Sequence, residues 1–123
     1  MVNIELSNFD DVRALRKRVG DLARAAGLHD PEAAVMAAGE LGNNCVEHGG
    51  GRPGLLRIGR RPGRLSLQFE NPCQQRPDWH SRKPVAVAEF RTGGYGLGIV
   101  QALARTLHYR WKNGRLVVRA DFD

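Results

Sequence analysis

The sequence predicts an α/β fold, a two-layer sandwich in which a mixed, mainly antiparallel sheet of four or five strands is covered on one face by about three helices. Three observations lead there. The hydrophobic period switches between two and about 3.6 in the order strand, helix, helix, hairpin, helix, hairpin. Both hairpins carry turn residues at their tips, Arg61-Pro62-Gly63 and Asn113-Gly114. The length, 123 residues, is below the roughly 150-residue prior for one domain, so 1–123 reads as a single domain without separate substrate and cofactor lobes.

Val2, Ile4 and Leu6 alternate with polar residues as in a half-buried strand. Ser7 and Asn8 can cap the helix that follows, in which Val12, Leu15, Val19, Leu22 and Ala26 recur at three- and four-residue steps up to Gly27. Asp30-Pro31-Glu32 starts a second helix, with an N-cap acid and a proline at the first helical position, and Gly49-Gly50-Gly51 ends it. Residues 55–58 and 65–69 form the first hairpin. Residues 72–91 contain three prolines and little periodicity, which predicts a long functional loop, a lid or a binding loop. A third helix is predicted over 99–107, and residues 109–111 and 116–120 close the fold as a second hairpin.

Composition narrows the function. Hydrophobic residues at 41% and charged residues at 26% exclude a disordered chain. No stretch approaches the roughly 18 apolar residues of a membrane span, and the first residues lack the basic start and apolar run of a signal peptide, so a cytoplasmic protein without membrane contact is expected. Cys45 and Cys73 stand alone, which points to reduced, unreactive thiols rather than a disulfide framework or zinc site. The net charge of +6 favours an anionic partner. Arg13, Arg16, Lys17 and Arg18 cluster on the first helix, and Arg57, Arg60, Arg61 and Arg64 flank a turn. Each cluster reads first as a solvated face. No nucleic-acid-binding motif accompanies them, so nucleic acid is not an expected partner.

Chemistry is concentrated in two places. Glu40, Asn44 and His48 recur at four-residue steps and so share one face of the second helix, polar where the helix is otherwise apolar. An amide oxygen there suits a hard cation such as Mg²⁺, and a carboxylate one turn away can orient or deprotonate a nucleophile. Taken alone, the row reads equally as contacts to the loop. The second place is Gly93-Gly94-Tyr95-Gly96-Leu97-Gly98, where glycines run into a helix and bare backbone amides can approach phosphate oxygens. A flexible connection has the same signature. It is neither a P-loop, lacking Gly-Lys-Ser/Thr, nor a Rossmann fingerprint, lacking a preceding strand.

Glu40-Leu41-Gly42-Asn43-Asn44-Cys45-Val46-Glu47-His48-Gly49 resembles the asparagine box of the gyrase, chaperone, histidine-kinase and mismatch-repair (GHKL) ATPase superfamily, and Gly94-Tyr95-Gly96-Leu97-Gly98 resembles its second glycine box. The resemblance covers almost the whole chain. The small size and the strand and helix directly before the asparagine box are most similar to bacterial anti-sigma factor and switch-protein serine kinases. It implies the histidine kinase-like ATPase fold, ATP and Mg²⁺ as cofactors, Glu40 as the catalytic carboxylate and Asn44 as the Mg²⁺ ligand. His48, Arg91, Thr92, Gly94, Gly96, Leu97 and Gly98 would lie at the nucleotide, although Arg91 reads also as a surface charge. It further implies transfer of the terminal phosphate to Ser or Thr of a partner, an anti-anti-sigma-type (STAS) protein, a sigma factor or another regulatory protein, and it allows a homodimer.

The first glycine box departs from the family pattern. In place of Asp followed by Gly-x-Gly, the strand leads into Phe69-Glu70-Asn71-Pro72-Cys73-Gln74-Gln75. By parity Leu65, Leu67, Phe69 and Asn71 share one face and Glu70 the other, which places Asn71 to meet the base; its amide oxygen can accept from an adenine amino group, without a charge. A plain turn residue before Pro72 is the competing reading. The missing glycines leave open a second function, a catalytically degenerate domain acting as a partner-binding regulatory module. His29, His80 and His108 are isolated, Tyr109 and Trp111 read as packing residues, and Trp79 in the long loop has the amphipathic character used at partner interfaces.

Overall fold

A computed structural model describes residues 1–73 and 97–123. The chain runs through β1 (Val2–Leu6), α1 (Phe9–Ala26), α2 (Pro31–His48), β2 (Gly54–Arg61), β3 (Arg64–Pro72), α3 (Leu97–Leu103), β4 (Thr106–Lys112) and β5 (Arg115–Phe122). The five strands form one sheet in the order β1-β2-β3-β5-β4, and all four ladders are antiparallel. The two-layer α/β arrangement is the one the sequence predicts. No helix among the described residues is long and apolar enough to cross a membrane.

Local signals set the helix ends. Asn8 caps α1 reciprocally: its Oδ1 accepts from the Asp11 N–H at 2.9 Å, and the Asn8 N–H donates to Asp11 Oδ2 at 3.3 Å. Gly27 closes the helix in the left-handed conformation at φ 79°. Asp30 Oδ1 accepts from the Ala33 N–H at 3.2 Å, starting α2 one residue before Pro31. The β4–β5 turn needs two positive-φ residues, supplied by Asn113 at 53° and Gly114 at 75°.

The core lies between the helices and one face of the sheet. Leu56, Ile58, Leu65, Leu67, Phe69 and Val118 meet Val12, Leu15, Val19, Ala34, Ala38 and Leu41 there, all buried. Both α1 and α2 pack on β1 to β3, whereas α3 packs on α2 and β4, so α2 is the middle helix of the layer. Both cysteines are buried and neither is in a disulfide, and burial pushes the Cys45 thiol up to about 12, which keeps it protonated and unreactive.

Two boundaries differ from the sequence expectation. The third helix ends at Leu103 rather than Leu107, because the chain joins β5 instead: the Arg105 N–H donates to Asp121 O at 2.8 Å and Leu107 pairs with Ala120. Leu107 thereby shares the inward strand face with Tyr109 and Trp111, a two-residue period that the apolar run 99–107 hides. At the other end, β3 runs past Phe69, where the predicted hairpin ends, through Asn71 and Pro72, the first residue of the predicted loop, because Leu116 and Arg115 of β5 pair with them. Residues 74–91 of the predicted loop lie outside the described residues.

Gly54 begins β2 beneath α2. A Cβ there would sit 2.9 Å from Cys45 Cβ and 3.3 Å from the Glu70 carbonyl oxygen, with backbone on one side and a buried helix on the other. Gly54→Ala is therefore expected to lose about 1–3 kcal/mol of stability. Urea unfolding checks this; a wild-type midpoint would show that α2 shifts freely on the sheet.

Candidate functional site

Successive residues of α2 turn by about 100°, and this step divides the helix into four flanks. Ala34, Ala38, Leu41 and Cys45 are buried toward the sheet. Gly39 and Gly42 face α1, where the Arg16 guanidinium covers Gly39 and Val12 and Leu15 close on Gly42. Met36 and Glu47 point to solvent. The fourth flank, opposite α1, carries Ala37, Glu40, Asn44 and His48.

Burial along this polar flank is graded. Glu40 is half-buried, Asn44 is 9% exposed, and His48, in the last turn, is exposed. An amide at the depth of Asn44 is costly unless satisfied, so the position suits a residue whose work is polar. Glu40 precedes it by one turn, about 6 Å along the axis.

The end of β3 lies below the same half of α2. The Cβ position of Gly54 lies within 3.1 Å of Cys45 Sγ and 3.3 Å of the Glu70 oxygen, so the residues after Asn44 and before Asn71 meet at one level of the sandwich. Asn71 is 2% exposed on the helix-facing side with Leu65, Leu67 and Phe69, as strand parity predicts. Its Nδ2 makes a long contact of 3.4 Å to the Pro72 carbonyl. Glu70 points to the opposite face and pairs with Arg57 at 2.8 Å, which removes it from the site.

Sequence reasoning missed the anchor that fixes this strand end. The Cys73 N–H donates to Gly114 O at 2.7 Å and Trp111 Nε1 donates to Cys73 O at 2.8 Å, tying the residues after Asn71 to the second hairpin. Trp111 was legible as a packing residue, and its inward parity is the only signal that it reaches β3. Leu97 is buried and Gly98 half-buried in the first turn of α3, which packs on α2. The structure thus brings Glu40, Asn44, His48, Asn71, Leu97 and Gly98 to α2 and its two neighbours. Arg91, Thr92, Gly94 and Gly96 lie outside the described residues, as does Trp79.

Among the described residues no group of three His, Cys, Asp or Glu could hold a metal. Such a cage is not what Mg²⁺ requires; it binds through one or two protein oxygens and completes its shell with water and phosphate. The buried amide of Asn44, with a carboxylate one turn away, fits that donor set. The row is marked out by chemistry rather than concavity, since a groove of about 710 Å³ lies on the other face of the sheet.

The family model of the histidine kinase-like ATPase domain matches residues 7–122, from the end of β1 to the end of β5. No curated protein matches the chain.

Proposed function

Because the chain belongs to the histidine kinase-like ATPase domain family, whose domains bind ATP, we propose that it is a cytoplasmic regulatory kinase. In this reading it transfers the terminal phosphate of Mg²⁺-bound ATP to Ser or Thr of a partner of the anti-anti-sigma type. One observation carries the reading. The polar flank of α2, with Glu40 and Asn44, lies over the β3 end where Asn71 faces the helices.

Asn44 would hold the cation through its amide oxygen, and Asn71 would accept from the adenine amino group. Bound Mg²⁺-ATP supplies an electrophilic terminal phosphoryl group and ADP as leaving group. Glu40 orients the partner's hydroxyl and accepts its proton as the oxygen–phosphorus bond forms. His48, Leu97 and Gly98 would line the nucleotide site beside Asn44. Arg91, Thr92, Gly94 and Gly96 are assigned to the phosphates by resemblance alone.

A second reading has its own observation. At the first glycine box β3 continues as a paired strand through Pro72, with no glycine to let backbone approach a base. A domain of this shape can bind partners without turnover. Incubation with radiolabelled ATP and a candidate partner separates the readings. Transfer to Ser or Thr is expected; partner binding with no transfer at saturating ATP would overturn the kinase reading in favour of the second.

Asn71→Asp replaces a neutral acceptor by a charged one. The variant is expected to bind ATP about tenfold more tightly. Without nucleotide it is expected to lose about 1–3 kcal/mol of stability, because the new carboxylate is buried. Thermal unfolding with and without ATP reads both effects together. An unchanged ATP-induced shift, or an equal shift with GTP, would show that Asn71 does not face the base.

A further inference from the structure

Among the described residues the helices cover one face of the sheet, and the strand registers determine what the other presents. Seven basic side chains from β2 to β5 share it with three carboxylates. The two hairpins place like charges directly opposite each other, Arg61 against Arg64 at one end of the sheet and Lys112 against Arg115 at the other. Such pairs cost stability. None of these four cations has a carboxylate partner among the described residues. Between the two ends lie Arg110, which is likewise unpaired, and the Arg57–Glu70 and Arg119–Asp121 pairs at 2.8 and 3.2 Å. The groove of about 710 Å³ lies toward the Arg61–Arg64 end of this face, lined by Arg57, Arg61, Arg64 and Arg119 among others.

We propose that the open face of the sheet is a docking surface for an extended acidic segment of a partner protein, its carboxylates paired by Arg110 and by the cations at the two hairpin ends. Charge complementarity carries the choice of occupant. The stretch 74–96 cannot supply the missing charge, since it has four basic and two acidic residues. A second copy of the chain applied face to face would bring like charges together. A nucleic acid is disfavoured on two counts. Phe69, Tyr109, Trp111 and Phe122 all point to the helix-facing side, so the described strands offer a base no Phe, Tyr or Trp on this face and only the single imidazole of His108. Glu5, Glu70 and Asp121 would also repel phosphates, whereas a peptide can donate backbone N–H groups to them. Burial pushes the Asp121 carboxyl up, but hydrogen bonds from Thr106, Ser66 and Arg119 outweigh this and hold it below its ordinary value, so it stays ionised at neutral pH. The nine residues of β3 span about 30 Å, the reach of about nine extended residues.

The surface lies on the opposite side of the sheet from α2, so the proposal does not rest on the nucleotide reading. Fluorescence anisotropy of the full chain with a labelled peptide of about ten residues, alternating Glu and Ser, tests it at about 0.05 M salt. Wild type is expected to bind, and Arg64→Glu with Arg110→Glu to weaken binding at least about tenfold, with ATP affinity unchanged. The matched reversal Arg13→Glu with Arg18→Glu, on α1, is expected to change it less than about twofold. The milder pair Arg64→Gln with Arg110→Gln repeats the test should the first fold poorly. Equal losses from the α1 and sheet pairs would reduce the effect to net charge and overturn the proposal. So would absence of peptide binding, or tighter binding of an oligothymidylate of matching charge.

Discussion

Glu40→Gln is expected to leave ATP affinity within a few-fold of wild type and to lower the rate of phosphate transfer to the partner by roughly 10²- to 10⁴-fold. Glu40 is half-buried on the polar flank of α2, one turn before Asn44, where in the proposed reading it would meet the partner's hydroxyl without holding the nucleotide. The amide of Gln keeps the shape and the hydrogen bond but cannot take the proton, so the loss falls on the chemical step. Single-turnover transfer from radiolabelled ATP, beside an independent binding titration, separates that step from affinity. Equal rates in the two proteins would reject Glu40 as the base, and a parallel loss of affinity would make it a nucleotide ligand instead.

Asn44→Ala is expected to abolish the Mg²⁺-dependent part of ATP affinity, a loss of about tenfold or more, while leaving the protein folded. The substitution removes the buried oxygen donor of the row and keeps a good helix former in its place, in a helix already packed by alanines. Calorimetric titration with ATP, with and without Mg²⁺, reads the effect. If the folded variant retains the full Mg²⁺ dependence, the cation is held elsewhere.

Much of the fold was legible in the sequence. The caps Asn8 and Asp30, the left-handed Gly27 and the Asn113-Gly114 turn are local devices whose geometry depends on a few neighbouring residues, and each lies where the sequence predicts. Strand parity placed Asn71 inward and Glu70 outward from alternation alone. The end of α3 was not legible, since the apolar run 99–107 suits a helix or a strand equally and the choice is made by β5, which follows it in sequence. The basic sheet face was illegible for the same reason. Its cations come from four strands and meet only through a register that no local pattern encodes.

The placement of the nucleotide on the α2 flank is tested most directly by backbone amide NMR of the full chain titrated with ADP and Mg²⁺. The largest shifts are expected at Asn44 and His48 of α2, at Asn71 of β3 and at Leu97 of α3, with Arg13 and Arg18 of α1 and Arg64 and Arg110 of the open sheet face unmoved. Shifts centred on the open face or on α1, with the α2 row silent, would contradict it.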